Sequence, residues 1–413
     1  MKKVVVTGLG VLSCAGSGPT AFWSNLAAGK SGLGPVTRVD HAHITTRVAG
    51  EIHDFDANQH FGKEIDLMDP FAQMGVYCAR EAIADAGLPA RFEGGEGLPC
   101  PERIGIITGS AMGGVQSEDN GFLQIYAQNA SRLHPFSIPR MMANAATSHI
   151  SMTTGAKGAA FTISTACASA THALGEAWRL IRHGAADMVI TGGCDAPLTR
   201  GVFRAWEAMR VLAPANGDPA TACRPFSADR TGLVLAEGAA MFVFEEEEHA
   251  RRRGARIYAE VAGYGATADA GHITQPSLDG PYQAMLDAMT TGGIRPEELD
   301  YINAHGTATK LNDATEIACI KRLLGEHAGR VSISSTKSMH GHAMGASGAI
   351  ELAAVMLAMQ HNVVPPTANY TTPDPECDLD VTPNQARPRE IRTALSNSFA
   401  FGGLNAVLAL RKV

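Results

Sequence analysis

Two kinds of apolar pattern alternate along this chain. Short apolar or alternating runs, at Val4-Val-Val6, Ile104-Gly-Ile-Ile-Thr108, Phe161-Thr-Ile-Ser164, Met188-Val-Ile-Thr-Gly-Gly193 and Val331-Ser-Ile-Ser334, read as strands. Longer stretches carry apolar residues three and four apart and read as helices, one near Pro70–Gly87 and another after Cys167. In the second, Ala170, Ala173, Leu174, Ala177, Leu180 and Ile181 recur at helical spacing, and His183-Gly184 supplies the stop. Strand, helix and strand in immediate succession from Phe161 to Gly193 predict a right-handed crossover and a parallel sheet, hence an α/β fold.

The second part of the chain echoes the first. Ile257-Tyr-Ala-Glu-Val-Ala-Gly-Tyr-Gly265 is again a strand entering a Gly-x-Gly turn, as at Val4–Gly10, and Val331–Ser334 with its following helix echoes Phe161–Ser164. Two echoes in the same order point to an internal duplication. Between them, Glu245-Glu-Glu-Glu-His-Ala-Arg-Arg-Arg-Gly254 sets Glu247 and Glu248 four residues ahead of Arg251 and Arg252. That spacing reads as a solvated helix stabilised by side-chain pairs. The expected halves are therefore 1–255 and 256–413.

Composition narrows the function classes. With 413 residues, 45% hydrophobic and 18% charged, the chain reads as an ordinary globular protein with a large core. Its net charge of -7 gives no support to nucleic-acid binding. No apolar run approaches the roughly 18 residues of a membrane span, and Thr7, Gly8 and Gly10 interrupt the one N-terminal run that imitates a signal peptide. The eight cysteines are scattered, without the spacing of a zinc site or a disulfide framework, so a reducing cytoplasm fits.

Three segments carry candidate chemistry. Cys167 lies where a strand gives way to a helix, so the helix N-terminus is expected to favour its thiolate and make it a nucleophile. In Tyr301-Ile-Asn-Ala-His-Gly-Thr-Ala-Thr309 an apolar run ends at His305, and in Val331–Gly345 a short strand breaks into a loop bearing Lys337, His340 and His342. Strand ends of this kind gather on one side of an α/β sheet, where ligands bind. Taken singly, a buried cysteine or histidine more often serves packing. Metal binding is disfavoured, because His340 and His342 are two apart with no carboxylate or cysteine at ligand spacing. Gly8-x-Gly10 is no dinucleotide fingerprint either, since Ser13 takes the third glycine position. No cofactor is called for.

Read together, the segments are recognisable. Val5-Val-Thr-Gly-Leu-Gly10, Thr165-Ala-Cys-Ala-Ser169, Asn303-Ala-His-Gly-Thr307, Ser335-Thr-Lys-Ser-Met-His-Gly-His342 and Ser396-Asn-Ser-Phe-Ala-Phe-Gly-Gly403 stand in family order. Over essentially its whole length the chain resembles the β-ketoacyl-acyl-carrier-protein synthases, elongating condensing enzymes of the thiolase-like superfamily. The resemblance implies the five-layered α/β/α/β/α fold of two similar halves, and dimerisation, expected here as a homodimer. It implies a decarboxylating Claisen condensation of a cysteine-bound acyl group with malonyl-acyl carrier protein, in fatty-acid or polyketide elongation. Cys167 becomes the acyl-accepting nucleophile, and His305 and His342 act on the malonyl thioester. Lys337 positions the histidine loop and pairs with Glu351, and Thr307 and Thr309 support the site. The N–H groups of Cys167 and Phe401 form the oxyanion hole, with Phe401 also the acyl gate. Asn303, Glu351, Ser396 and Asn397 match a structural monovalent-cation site of some relatives.

The chain departs from the pattern in places. Thr231-Gly232-Leu233 stands where relatives carry Asp-Gly-Phe, which removes a ring expected beside the histidines. Ala400 and Leu404 replace a commoner Gly and Thr near the gate, and Gly62–Asp69 is less basic than the usual carrier-docking face, leaving Arg210 as a candidate. A thiolase would carry a second reactive cysteine near the C-terminus, but none follows Cys377. The rival reading is a catalytically silent partner subunit that sets chain length; such subunits usually lack the nucleophile.

Overall fold

The computed structural model describes residues 1–95, 97–214 and 217–413. Ten strands form the path of one mixed sheet. The first five are β1 (Val4–Ser13), β2 (Ile104–Gly109), β3 (Ala160–Ile163), β4 (Met188–Asp195) and β5 (Gly238–Glu246). The other five are β6 (Ala259–Ala268), β7 (Tyr301–Asn303), β8 (Ser332–Ser334), β9 (Thr393–Ala400) and β10 (Leu404–Arg411). Across the sheet the first five run β3-β2-β4-β5-β1 and the second five β8-β7-β9-β10-β6. Numbered within its own set, each order is 3-2-4-5-1. The directions match too: β2 is parallel to β3 and β4, while β4/β5 and β5/β1 are antiparallel. The same holds for β7 with β8 and β9, then β9/β10 and β10/β6. The duplication read from two short echoes is a duplication of topology, joined where Val4–Val6 pair antiparallel with Ala259–Val261.

Helices complete the layers. Outside the first five strands lie α1 (Pro70–Asp85) and α2 (Ala145–Thr154), and between the two sets lies α3 (Ser169–Arg182). After α4 (Arg200–Met209), the second set carries α5 (Asp279–Gly292) and α6 (Lys310–Leu324) on its outer face and α7 (Ser347–His361) on its inner one. The result is the expected α/β/α/β/α order. Helix α7 is buried from Ser347 through Met359, so it is apolar all round, as a central-layer helix must be. It meets α3 at Gly348, where a Cβ would lie 2.0 Å from Thr171 Oγ1, so only glycine allows the two helices to approach this closely.

One expectation changes, and one feature lies outside what the sequence predicts. The polar run at 245–254 is not wholly a surface helix: Glu245 belongs to β5, is fully buried, and accepts from His249 (2.8 Å) and Arg253 (2.9 Å), leaving Glu247–Arg252 as the helix. Strand pairing to both β1 and β4 extends β5 past the point where charge seemed to end it. Second, β3 is an open edge strand, with Phe161 41% exposed.

Candidate active site

Three loops converge beneath the central layer. Cys167 sits in residues 164–168 between β3 and α3, in a tight turn where Ala168 N–H and Ser169 N–H donate to Thr165 O and Ala166 O. His305 follows β7. His342 lies in residues 335–346 between β8 and α7, held to the first half by His342 N–H donating to Val234 O (2.8 Å) and Ala236 N–H donating to His342 O (3.0 Å). Each loop bends through a left-handed residue that is not glycine: Ala166 (φ +49°), Ala308 (φ +65°) and Met344 (φ +50°). Such conformations are strained, and they persist only where the surroundings over-determine them.

The convergence is close. The Cys167 sulfur and one ring nitrogen each of His305 and His342 lie within 4.8 Å of one another, and all three residues are buried. The imidazoles meet edge to face, 5.5 Å apart at 86°. Burial, first, and then the Lys337 charge push both histidines well below the usual imidazole range, so both rings are neutral. Lys337 Nζ donates to Glu351, to His305 O (2.7 Å) and to His305 Nδ1 (3.3 Å). An ammonium has no acceptor, so Nδ1 accepts and the His305 proton sits on Nε2. His342 Nδ1 bonds Ser347 Oγ (2.7 Å), and its Nε2 is buried without a partner. The cysteine and two histidines invisible to one another in sequence spacing thus have the types of a metal trio. The tautomer set by Lys337 makes His305 Nε2 a donor, and a donor cannot ligate a metal.

The thiol differs from expectation. Burial raises Cys167 to about 11, against the smaller opposing influences of Lys337 and of the backbone N–H groups of Phe401 and Cys167. Desolvation outweighs the helix end, and the resting sulfur is a thiol at neutral pH. The backbone N–H groups of both Cys167 and Phe401 lie close to the sulfur. The Phe401 ring stacks on Trp206, centroids 5.9 Å apart at 25°.

The remaining residues fall around this core. A cavity of about 490 Å³ opens onto Cys167, His305 and His342 and is lined by Thr307, Thr309 and Arg210. Thr307 Oγ1 and Thr309 Oγ1 bond each other at 2.9 Å. Leu233, where a ring was expected, lines the same cavity, as does Ala400, while Leu404 is half-buried beside them. Glu351, raised to about 7 by burial with Lys337 opposing, bonds Lys337 through one oxygen. Its Oε2, Asn303 Oδ1, Ser396 Oγ and Asn397 Oδ1 are buried without partners, and Asn303 and Ser396 are opposite one another in the ladder. Ser396 and Asn397 are neighbours on β9 and face opposite sides of the sheet, Asn397 toward Glu316 on α6, so only the Asn303, Ser396 and Glu351 oxygens share the inner face, where an oxygen-seeking cation would suit them.

Sequence reasoning missed Glu316. On α6 and fully buried, it accepts from His305 N–H and Gly306 N–H (both 2.9 Å) and from Asn397 Nδ2 (3.0 Å), which fixes the His305 loop. Its carboxyl is pushed up to about 7 by burial, against those three bonds. The available signal was the i, i+3 pair Asp313 and Glu316 directly after the histidine segment.

Comparison with known proteins places this arrangement. Residues 1–250 match the family described as beta-ketoacyl synthase, N-terminal domain, and residues 258–371 match beta-ketoacyl synthase, C-terminal domain. Nodulation protein E of Rhizobium sp. (strain N33) is 44% identical, the alignment covering 100% of each chain. A 3-oxoacyl-[acyl-carrier-protein] synthase 2 of Staphylococcus aureus (strain COL) is 42% identical over 100% of this chain and 98% of that one. Among solved structures, a type II PKS ketosynthase in complex with its acyl-carrier protein superposes with a TM-score of 0.91 at 33% identity, covering 100% of this chain and 99% of that one.

Proposed function

The chain belongs to the beta-ketoacyl synthase family, and on that premise we propose that it elongates acyl chains by decarboxylating condensation with malonyl-acyl carrier protein. The observation that carries this is one thiol from the first half within 4.8 Å of two neutral imidazoles from the second. A Cys–His pair alone would serve a hydrolase; a second imidazole in place of an acid serves an enolate.

The steps follow from the geometry. The Cys167 sulfur attacks the carrier thioester, its proton leaving with the departing carrier thiol, and the acyl group is now held on Cys167. The exchange of one thioester for another is near thermoneutral. Malonyl carrier then enters the same cavity and loses carbon dioxide, and the C–C electron pair becomes an enolate. The developing oxygen is received by His305 Nε2–H and by His342 Nε2, which has no protein partner to give up. The enolate carbon attacks the acyl carbon; the tetrahedral oxyanion accepts from the Cys167 and Phe401 N–H groups, and its collapse expels the Cys167 thiolate, which recovers a proton. Neutral rings matter here, because an imidazolium would hold the malonyl carboxylate instead of releasing it.

The supporting assignments have separate grounds. Lys337 fixes the His305 tautomer, and Glu351 balances its charge. Of the four residues that match a monovalent-cation site, Asn303, Glu351 and Ser396 would offer side-chain oxygens to the ion, while the Asn397 side chain turns to the other face of the sheet, toward Glu316. We place the halves at 1–255 and 256–413 and read the chain as a homodimer, with the open β3 edge and Phe161 covered by a second copy, since an exposed apolar edge invites pairing. Arg210, at the cavity mouth in a left-handed conformation (φ +56°), meets the acidic carrier. All eight cysteines are free thiols, which agrees with a cytoplasmic protein, and no helix among the described residues is long and apolar enough to cross a membrane. The thiol and both imidazoles, present and assembled, weigh against the silent-subunit reading, which rests on Leu233 and the less basic 62–69 segment.

The test is incubation with a radiolabelled acyl carrier thioester followed by carboxyl-labelled malonyl carrier. Label on the Cys167 peptide and then released carbon dioxide with a β-ketoacyl carrier product are expected. Absence of the covalent label overturns the reading.

A further inference from the structure

Among the buried carboxylates that the reaction above leaves without a task, Asp195 is the one that joins the two catalytic loops. Asp195 closes β4 and has no exposed surface. Ser110 Oγ (2.7 Å) and Met112 N–H (3.1 Å) donate to its Oδ1, and Ala111 N–H (2.9 Å) and Gly345 N–H (2.7 Å) donate to its Oδ2. All four donors are neutral. Three belong to the loop that leaves β2 in the first half, and the fourth to the loop that carries His342 in the second. The junction is tight as well: a Cβ on Gly345 would lie 2.4 Å from Ala111 N and 2.7 Å from Asp195 Oδ2. Immediately before Gly345, Met344 holds its left-handed conformation although almost wholly buried, a bend that the Gly345 bond helps to keep.

Burying a carboxylate without a counter-charge is expensive, and converging hydrogen bonds offset that expense only while every donor stays in place. Such a group defines position more sharply than an apolar contact, because the bonds are directional. We propose that Asp195 is a positioning residue that ties the His342 loop to the Ser110–Met112 loop and so sets the approach of His342 to Cys167. It touches neither substrate nor the reacting atoms. The inference rests on the condensing reaction and says which half of it Asp195 serves: acyl transfer to Cys167 needs the thiol and the oxyanion donors, whereas decarboxylation needs His342 in place.

The experiment measures both half-reactions on the same full-length protein. Acyl loading is read as label on Cys167, using whichever of the hexanoyl, decanoyl and hexadecanoyl carrier thioesters loads the wild type fastest. Decarboxylation is read as carbon dioxide from carboxyl-labelled malonyl carrier. Asp195→Asn keeps the shape but turns an amide N–H onto an N–H donor. Carbon dioxide release is expected to fall about a hundredfold, the loss that a displacement of about 1 Å at a catalytic group can cause, while loading is not lowered, since the Asp195 charge, which helps to raise the Cys167 thiol, is removed. Ser110→Ala removes one donor and leaves the carboxylate, so about a tenfold loss on the same side is expected. Equal losses in both half-reactions, or no loss in either, overturn the proposal. If Asp195→Asn does not fold, Ser110→Ala decides by the same criterion. A wild type that neither loads nor releases carbon dioxide overturns the condensing reaction itself, an outcome distinct from equal losses in the variants.

Discussion

The loop between β3 and α3 and the loop between β8 and α7 occupy the same place in the two halves, yet they are built differently. The first spans only residues 164–168, holds one reactive side chain, and is fixed by its own turn and the helix it starts. The second spans 335–346, is buried throughout, and is fixed largely by the other half: Met339 O accepts from Gly32 N–H, and His342 is bracketed by Val234 and Ala236. The edges differ in the same sense. β3 is open, while β8 is covered by residues of the 367–382 segment, Ile333 N–H donating to Asp380 O (3.1 Å) and Thr382 Oγ1 to Ile333 O (2.9 Å). One copy of the motif has been kept short for a nucleophile that must be approached from a cavity. The other has been lengthened into a plug that brings His342 across the pseudo-symmetric interface. The proposed chemistry is divided along the same line: the nucleophile stands on the first half, and the second supplies both imidazoles and the Phe401 oxyanion donor.

The sharpest way to break that division is to remove one histidine. His305→Ala or His342→Ala is expected to lower carbon dioxide release from malonyl carrier by about 10²–10³, the usual effect of deleting one donor to a developing oxyanion, and to leave acyl loading on Cys167 nearly unchanged. Label transfer and carbon dioxide release measured on the same samples check this. A histidine variant that loads as poorly as Cys167→Ala would mean that the second half also activates the thiol.

A smaller effect tests how the long loop is held. Lys337→Met removes the cation that Glu351 faces, and removal of one partner of a buried pair typically costs about 3–5 kcal/mol. Glu351 is already raised from 4.5 to about 7, so it can escape by taking a proton. A carboxyl raised on folding stabilises fully below its unfolded value, and that contribution is lost as pH rises through the folded one. Without Lys337 the folded value rises further, so the stability difference between wild type and variant should widen from pH 5 to pH 8. Denaturant melts at both pH values check the sign; a difference independent of pH would mean that Glu351 does not titrate with folding.

Much of this was legible in the sequence, for a physical reason. Cys167, His305 and His342 each lie in a loop that follows a strand, and an α/β sheet gathers such loops regardless of how far apart they lie in the chain. The first echo survived because Val4–Gly10 and Ile257–Gly265 fill the same central position, buried in both sets. Glu316 was not legible, since a glutamate at helical spacing among Lys310, Asp313 and Lys321 reads as solvated; it is the three donors aimed at it from outside its helix that make it a buried support. Glu245 misled for the same reason, its partners lying on the helix that follows.

The protonation state of Cys167 was misjudged because a helix N-terminus can be seen in sequence and desolvation cannot. That difference makes the last and mildest prediction. With the thiol raised to about 11, alkylation of Cys167 by iodoacetamide in the resting protein should climb about tenfold per pH unit from pH 7 to pH 10 without levelling. Mass-spectrometric rates on the Cys167 peptide, with the exposed Cys100 as internal reference, measure it. A plateau near pH 8 would show the helix end and the two N–H donors overcoming burial. The second half would then share in activating the nucleophile, through the Phe401 N–H, as well as in decarboxylation.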